Sequence, residues 1–189
     1  MKKQDIKTGM VMLVQGKSFL AKLIAFFQRA LAIYNKKDAK LTHAGIFQWF
    51  TYKGVYDLYV VESLKDGIKA TPFDKYISEG RILYIGTFKF GVWDDKKMND
   101  LIELNNQFID KTHYNKDGLL REALRCTIFR ITGIDIYLPD DDMLQDWMCG
   151  QFVMFDYQIL YGVFSEWLKG TPIEIYESGL FDFELFERN

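Results

Sequence analysis

The hydrophobic pattern of the first half of the chain predicts several strands and one helix. GMVMLV at 9–14 is a short apolar run, and residues 43–50 and 55–62 are rich in aromatic and β-branched residues, as is typical of strands. RILYIGTF at 81–88 has the same character. In SFLAKLIAFFQRALAI at 18–33, apolar residues recur three and four positions apart, and this spacing predicts a helix. The short gap between the second and third strands indicates a β-hairpin.

The second half of the chain has mainly helical spacing. Asp94 and Asp95 favour the positive end of a helix dipole, and Thr71 with Pro72 suits the first two positions of another helix. FDFELF predicts a last strand. Helices are predicted from Thr71 onward and over 94–110, 119–131, 149–164 and about 172–177. Because strand-rich and helix-rich segments are segregated, the predicted fold class is α+β, in a single domain over 1–189.

The helix predicted at 18–33 has two interpretations. It is interrupted by Lys22 and Arg29 and is shorter than the ~20 residues that a membrane span needs, so we do not expect it to cross a bilayer. A helix with one apolar face usually belongs to a core. Alternatively, it lies at a membrane interface with its basic residues at the lipid headgroups. The first interpretation is simpler, and we adopt it as the expectation.

Composition narrows the class of protein. The chain has 189 residues, 49% of them hydrophobic, with 24 Lys and Arg against 26 Asp and Glu. It can therefore fill one core, and it has no dominant charge that would indicate nucleic-acid binding. MKKQDIKTGM lacks the long apolar run of a secretory leader, which favours a cytoplasmic location. No transmembrane segment and no cofactor are predicted, and the oligomeric state stays open.

The two cysteines have to be judged separately, because their spacing fits neither a disulfide framework nor a zinc site. Cys149 stands at the start of a predicted helix, and a helix N-terminus stabilises a thiolate. The residues three and four positions further along are mostly apolar, so this thiol should face inward. The common alternative for any cysteine is a buried small hydrophobic residue. We expect that alternative for Cys126, which falls in the middle of a predicted helix.

His43 and Glu62 are candidates for a side-chain pair within the predicted hairpin. If residues 51–54 form the loop, Phe50 faces Val55 and His43 faces Glu62. Directly opposed residues of antiparallel strands project on the same face, with Cβ atoms about 4.5–5.5 Å apart. Glu62 would then hydrogen-bond one ring nitrogen of His43 and leave the other free as a base. A one-residue slip would separate the two, and a lone histidine is more often structural.

The stretches that contain these residues resemble a known family. THAGIF at 42–47, VVESLKDGIKATPFDKYI at 60–77 and WMCGQFV at 147–153 are similar, in this order, to motifs of the permuted papain-like amidases of the YaeF/YiiX type, relatives of the NlpC-like cell-wall peptidases. The opening KTGMVMLV and the closing TPIEIYESGLFDFELF also resemble that family. The resemblance implies a circularly permuted papain-like fold, with an antiparallel sheet packed against helices and the cysteine at a helix N-terminus.

The same resemblance implies a catalytic triad. Cys149 would be the nucleophile, His43 the base, and Glu62 the group that fixes the imidazole tautomer. The thiolate would attack a carbonyl to form a thioester acyl-enzyme, which water then hydrolyses. The oxyanion would be held by the backbone N–H of Cys149 and one side-chain donor, for which Tyr114 is the candidate. A packed aromatic residue is the alternative for Tyr114, one of eleven tyrosines.

The sequence departs from the family pattern in two places. Gly150 follows the cysteine where a serine is common, and THYNKDG at 112–118 matches its counterpart only loosely. A metal site of His43, Glu62 and His113 would use a known set of two histidines and one carboxylate. Nothing in the sequence brings His113 to the strand, however, and such a site leaves Cys149 unused. His113 is therefore expected to be an exposed loop residue, and no metal is expected.

Three functions stay open. The first is a cysteine amidase or peptidase that acts on small peptides or amide-linked cell-wall fragments, as the resemblance implies. The second is a lipid-directed thiol acyltransferase or esterase, because the wider superfamily includes enzymes that move acyl chains. The third is a non-catalytic binding module on the same fold. The complete set of His43, Glu62 and Cys149 disfavours the third.

Overall fold

The computed structural model describes the greater part of the chain. It covers residues 1–16, 21–22, 25–26, 29, 40–81, 83–91, 93–111, 113–114, 124, 128, 132, 146–164 and 170–187, and for residues 113–114 and 146–147 it covers the backbone.

Within these residues, the elements with defined bounds are eight strands, four α-helices and a 3₁₀ helix over Lys3–Asp5. The strands are β1 (Val11–Gln15), β2 (Leu41–Tyr52), β3 (Val55–Leu64), β4 (Gly67–Pro72), β5 (Leu83–Phe88), β6 (His113–Tyr114), β7 (Asp146–Trp147) and β8 (Phe181–Leu185). The helices are α1 (Phe73–Ser78), α2 (Asp95–Asn106), α3 (Cys149–Tyr161) and α4 (Pro172–Glu177).

Six of the strands form one antiparallel sheet. Their order is β4-β3-β2-β1-β5-β8, and every neighbouring pair runs antiparallel. The short strands β6 and β7 form a separate parallel pair. The α+β prediction is therefore confirmed.

Both faces of the sheet are covered, and this makes β1 a buried central strand. Alternate residues of β1 enter different apolar clusters, because side chains alternate between the two faces of a strand. One cluster joins the sheet to α3 and includes Val11, Leu13, Val153 and Tyr157. The other lies on the opposite face, against α1, and includes Met12, Val14, Phe47, Val60 and Phe73.

The helices predicted over 94–110 and 149–164 are present, but they end earlier, at Asn106 and Tyr161. Helix α2 begins after Asp94, whose side chain accepts a hydrogen bond from the Lys97 backbone N–H and so caps the helix. Helix α3 begins at Cys149 and ends before Gly162, which has a left-handed φ of 69°. Helix α4 spans residues 172–177, as predicted. The helix predicted over 119–131, with Cys126, lies outside the described residues except for two helical positions, 124 and 128.

The helix predicted at 18–33 is described only in part. Residues 21–22, 25–26 and 29 are helical, and the others lie outside the described set. Ala21 is buried, whereas Phe26 is 49% exposed. Within the part of the chain that the structure covers, no helix combines the length and the apolar character required to cross a bilayer.

Strand β4 was not predicted, and the helix expected to start at Thr71 begins at Phe73. Thr71 and Pro72 instead pair with Val60 and Tyr59 of β3. Proline is tolerated because β4 is an edge strand, where a missing backbone N–H breaks no ladder hydrogen bond. The helix start predicted from the local signal therefore lies two residues before the observed one.

The hairpin of β2 and β3 forms, but its register differs from the predicted one by two residues. Tyr52 pairs with Val55, and the loop consists of Lys53 and Gly54 alone. Both loop residues have positive φ, 49° and 82°, as a type I′ turn requires. Because side chains alternate with a period of two, this shift keeps every residue on its predicted face.

Helix α3 approaches the chain before α4 so closely that position 150 has no room for a side chain. A Cβ on Gly150 would lie 2.6 Å from the carbonyl oxygen of Gly170 and 2.9 Å from the carbonyl carbon of Thr171. These neighbours are backbone atoms, which cannot rotate away. The serine that the family pattern has after the cysteine therefore does not fit this chain.

We expect Gly150→Ser to lower the free energy of unfolding by about 1–3 kcal/mol, because the added side chain overpacks a contact with fixed backbone. The matched control is Ile159→Ser on the exposed side of the same helix, which should change it by about 0.5 kcal/mol or less. Urea unfolding of the three proteins measures both effects. Equal stability of Gly150→Ser and the wild type would mean that α3 is free to move away from residues 170–171.

Candidate active site

The structure brings His43, Glu62 and Cys149 into contact. His43 lies on β2, Glu62 on β3, and Cys149 is the first residue of α3. The Nε2 atom of His43 is hydrogen-bonded to the Oε2 atom of Glu62. The side chain of His43 is also hydrogen-bonded to the Cys149 thiol. With Nε2 engaged by Glu62, Nδ1 is the ring nitrogen available to the thiol.

The hairpin register explains how Glu62 reaches His43. Extending the pairing of Ile46 with Val61 places Gly45 opposite Glu62, and His43 one diagonal step away on the same side. A Cβ at position 45 would lie 2.5 Å from the Cγ1 atom of Val60 and 3.2 Å from the Cβ of Glu62. The missing side chain of Gly45 therefore leaves the space beside Glu62 open to the imidazole.

A β-bulge lies directly beside His43. Val14 pairs with His43, but Gln15 pairs with Leu41, so Thr42 is an extra residue on β2. The Oγ1 atom of Thr42 accepts a hydrogen bond from the Gly16 N–H at 3.1 Å. Bulges bend a strand and turn its side chains, and they are common beside active sites. This one lies at the end of the sheet where the cysteine helix begins.

Glu62 is a buried carboxylate with several donors. Its side chain has no exposed surface, and its Oε2 atom accepts hydrogen bonds from His43 and from the Tyr76 hydroxyl of α1. Burial by itself would raise the pKa of Glu62. The charge of His43 and the hydrogen bonds from His43, Thr71 and Tyr76 outweigh burial and hold this pKa below its ordinary value.

The same balance between burial and nearby charges sets the pKa values of His43 and Cys149. Burial would lower the pKa of His43, but the charges of Glu62 and Cys149 raise it to about 10. Burial would raise the pKa of the Cys149 thiol, but the charge and hydrogen bond of His43 and the amides of Ala44 and Gly150 lower it. Together, these opposite shifts favour a thiolate–imidazolium pair between Cys149 and His43.

Asp156 shows the effect of burial on the pKa of a carboxyl group that has no cation beside it. It lies on α3 with no exposed surface, as Glu62 does on β3. Burial raises the pKa of Asp156 well above its ordinary value, because only Asn105 opposes the effect. Two equally buried carboxyl groups thus have opposite pKa shifts, and the difference comes from the cation and the donors around Glu62.

Tyr76 and Thr71 belong to the site but were not predicted as site residues. Tyr76 is buried, and its hydroxyl donates to Glu62 across a separation of 14 residues. Burial and the charge of Glu62 raise the pKa of Tyr76, so its hydroxyl stays protonated as a donor. The guanidinium carbon of Arg81 lies 5.2 Å from the centre of the Tyr76 ring. In the sequence, the only indication for Tyr76 is that it follows Phe73 by three positions, which places both residues on one helix face.

The other candidates lie at the limit of what the structure describes. The backbone of Tyr114 pairs with Trp147, two residues before Cys149, and that of His113 pairs with Asp146. The side chains of Tyr114 and His113 lie outside the described set, so the oxyanion role of Tyr114 stays a prediction. Among the residues that the structure covers, no three His, Cys, Asp or Glu side chains are grouped as a metal site would require.

The accessible part of the site is small. Cys149 is 7% exposed, and the side chain of His43 is 16% exposed. The reacting groups therefore face a mostly dry environment, where an ion pair and aligned donors act more strongly than in water. Chemically, the arrangement can supply a thiolate nucleophile, a proton donor beside it, and a carboxylate that orients the proton donor.

A scan against protein-family models and a search among curated proteins both find no match.

We expect alkylation of Cys149 by iodoacetamide to begin below the ~8.5 of a free thiol, and His43→Ala to move the onset to higher pH, because burial is then opposed only by the amides of Ala44 and Gly150. At pH 7 the variant should react at least about tenfold more slowly, since one pKa unit is a factor of about ten in thiolate. Peptide mass spectrometry over a pH series measures this, with Cys126 as the internal reference. His113→Ala, which removes the other histidine, should leave the onset unchanged. Equal onsets in wild type and His43→Ala would show that the thiol is not activated by His43.

We expect Tyr76→Phe to lower the free energy of unfolding at pH 7 by about 1.5–3 kcal/mol, because an ionised buried carboxylate loses a donor. The loss should be much smaller in a Glu62→Gln background, where no charge needs the donor. Tyr59→Phe is the matched control, since its hydroxyl donates to the neutral Val55 carbonyl at 3.2 Å. Urea unfolding of this double-mutant cycle measures the coupling. Additive losses of stability would show that Tyr76 and Glu62 are not energetically coupled.

Proposed function

We propose that this chain is a cysteine hydrolase, an amidase or peptidase that acts on small peptides or amide-linked cell-wall fragments. The observation that carries the proposal is the hydrogen-bonded chain from Cys149 through His43 to Glu62, with the pKa of the thiol lowered and that of the imidazole raised. A structural cysteine needs no such partner, and an ion pair of this kind is the environment of a nucleophilic thiol.

The proposal includes a permuted papain-like arrangement. Two features of the fold support it: the thiol at the first residue of a helix that lies against an antiparallel sheet, and the order His43, Glu62, Cys149 along the chain. In papain the cysteine helix precedes the sheet, so a permutation that moves this helix behind the sheet produces the order seen in this chain. The motif resemblance of the sequence supports the same arrangement.

The reaction begins with the thiolate of Cys149 attacking the substrate carbonyl, which forms a carbon–sulfur bond and a tetrahedral oxyanion. The backbone N–H of Cys149 at the start of α3 is a fixed donor for that oxygen, because the first amides of a helix have no partner inside the helix. The imidazolium of His43 then gives its proton to the leaving amine as the carbon–nitrogen bond breaks. A thioester on Cys149 and a neutral imidazole result.

Hydrolysis of the thioester reverses the proton's path. Neutral His43 removes a proton from water, and the resulting hydroxide attacks the thioester carbonyl. The carbon–sulfur bond breaks, the carboxylic acid product leaves, and the thiolate–imidazolium pair is restored. Glu62 stays ionised throughout and holds Nε2–H, so that the nitrogen facing the thiol is the one that exchanges the proton.

We expect the wild type to hydrolyse members of a panel of p-nitrophenyl esters and short peptide p-nitroanilides, and Cys149→Ala to hydrolyse none. His43→Ala should lose on the order of 10²–10⁴ in rate, the usual contribution of a general base. Intact-protein mass spectrometry after rapid acid quench should show the mass of one acyl group on the wild type.

The control for folding in these assays is urea unfolding of each variant. The result that would overturn the proposal is a wild type whose Cys149 reacts with iodoacetamide at neutral pH but which neither hydrolyses the panel nor carries an acyl group. Such a protein would be a binding module with an activated thiol.

A further inference from the structure

A cavity of about 640 Å³ opens beside the end of the sheet that carries His43. Its lining includes Gln15 and Gly16 at the end of β1, and Lys40 just before β2. Gly16 is held to Thr42, the residue next to His43, by the hydrogen bond described above. Lys40 precedes His43 by three residues. The cavity has the size of a small-molecule site and borders the strand ends next to His43.

The charged residues of this cavity are all basic. Lys22, Arg29 and Lys40 line it, and no carboxylate appears among its described lining residues. Within the described part of the chain, none of the three takes part in an ion pair. Uncompensated positive charge in a cleft raises the local concentration of anions. Arginine and lysine are also the residues that bind carboxylate and phosphate groups.

The rest of the lining is partly apolar. Ala21, Ala25 and Phe26 contribute to it from the helical positions between β1 and β2. Phe26 is about half exposed, so it offers apolar surface that the protein itself leaves uncovered. A ligand that matches both features has an anionic group and a hydrocarbon portion.

We propose that this cavity binds the anionic group, a carboxylate or a phosphate, of a substrate whose carbonyl carbon reaches Cys149. The inference rests on the proposed function and specifies its substrate class: acyl compounds that carry an anionic group at a distance from the scissile bond. The apolar lining accommodates the chain that joins the two groups.

The first test compares two reagents that differ in charge. Iodoacetate is an anion and iodoacetamide is neutral, and both alkylate a thiolate by the same displacement of iodide. Replacing Lys22, Arg29 and Lys40 together by Gln should lower the ratio of the iodoacetate rate to the iodoacetamide rate at Cys149 about eightfold at low salt. This value assumes that each cation lies about 10 Å from the reacting thiolate and changes the rate by a factor of about two in water. The preference should weaken with added salt.

The control substitution is Lys7→Gln, an exposed lysine before the opposite end of β1, which should change neither rate. Lys40→Gln alone should show about a twofold effect, so the test does not depend on the triple variant being well folded. An unchanged ratio of the two rates in the triple variant would overturn the proposal.

The measurement is made at pH 7 and at pH 9, because a thiol with an unperturbed pKa of ~8.5 also reacts at the higher pH. If Cys149 proves inert at pH 7, the proposed hydrolase function fails. The charge comparison at pH 9 still decides whether the cavity attracts anions.

The second test identifies the anion. Octanoate, octyl phosphate and octanol are compared as protectants of wild-type Cys149 against iodoacetamide. The two anions should protect at concentrations at least about fivefold lower than octanol, and the triple variant should lose this difference. Stronger protection by octanoate indicates a carboxylate substrate, and stronger protection by octyl phosphate a phosphate one. Equal protection by octanol and the anions would overturn anion recognition.

Discussion

The burial of an ionised carboxylate is the constraint on which this site depends. Glu62 lies in the sheet with no exposed surface, and removing a carboxylate from water costs several kcal/mol unless opposite charge and donors replace the water. His43 supplies the charge, and Tyr76 and Thr71 supply hydrogen bonds. The imidazole is in turn kept protonated by Glu62 and Cys149. None of these groups holds its charge state alone.

The elements of the fold bring these interacting groups together. The hairpin of β2 and β3 brings Glu62 beside His43, and α1 places Tyr76 against the carboxylate. Helix α3 brings Cys149 from a distant part of the chain to the start of β2. Asp156, as deeply buried on the same helix but without a cation beside it, has a raised pKa instead. The surroundings, and not the residue type, decide which buried acid is ionised.

Local patterns predicted much of the secondary structure. Helical spacing, with Asp94 and Asp95 at the positive end of the dipole, located α2, and helical spacing located α4, because these signals depend only on neighbouring residues. Strand β4 was missed because its residues carry a local helix-start signal, which pairing with β3 overrides. The hairpin loop was predicted as four residues and has two, because Thr51 and Tyr52 continue the strand pairing up to the positive-φ turn at Lys53 and Gly54.

The sequence by itself determined which residue types are available and which faces they share. Alternation with a period of two put His43 and Glu62 on one side of a hairpin even with the wrong register, and helical spacing put Cys149 at a helix start. Only the tertiary structure decided that the thiol meets the imidazole, that Tyr76 hydrogen-bonds the carboxylate, and that three cations border one cavity. These contacts join residues far apart in the chain. Their charge states depend on burial and on through-space Coulomb interaction, and neither quantity can be read from local sequence.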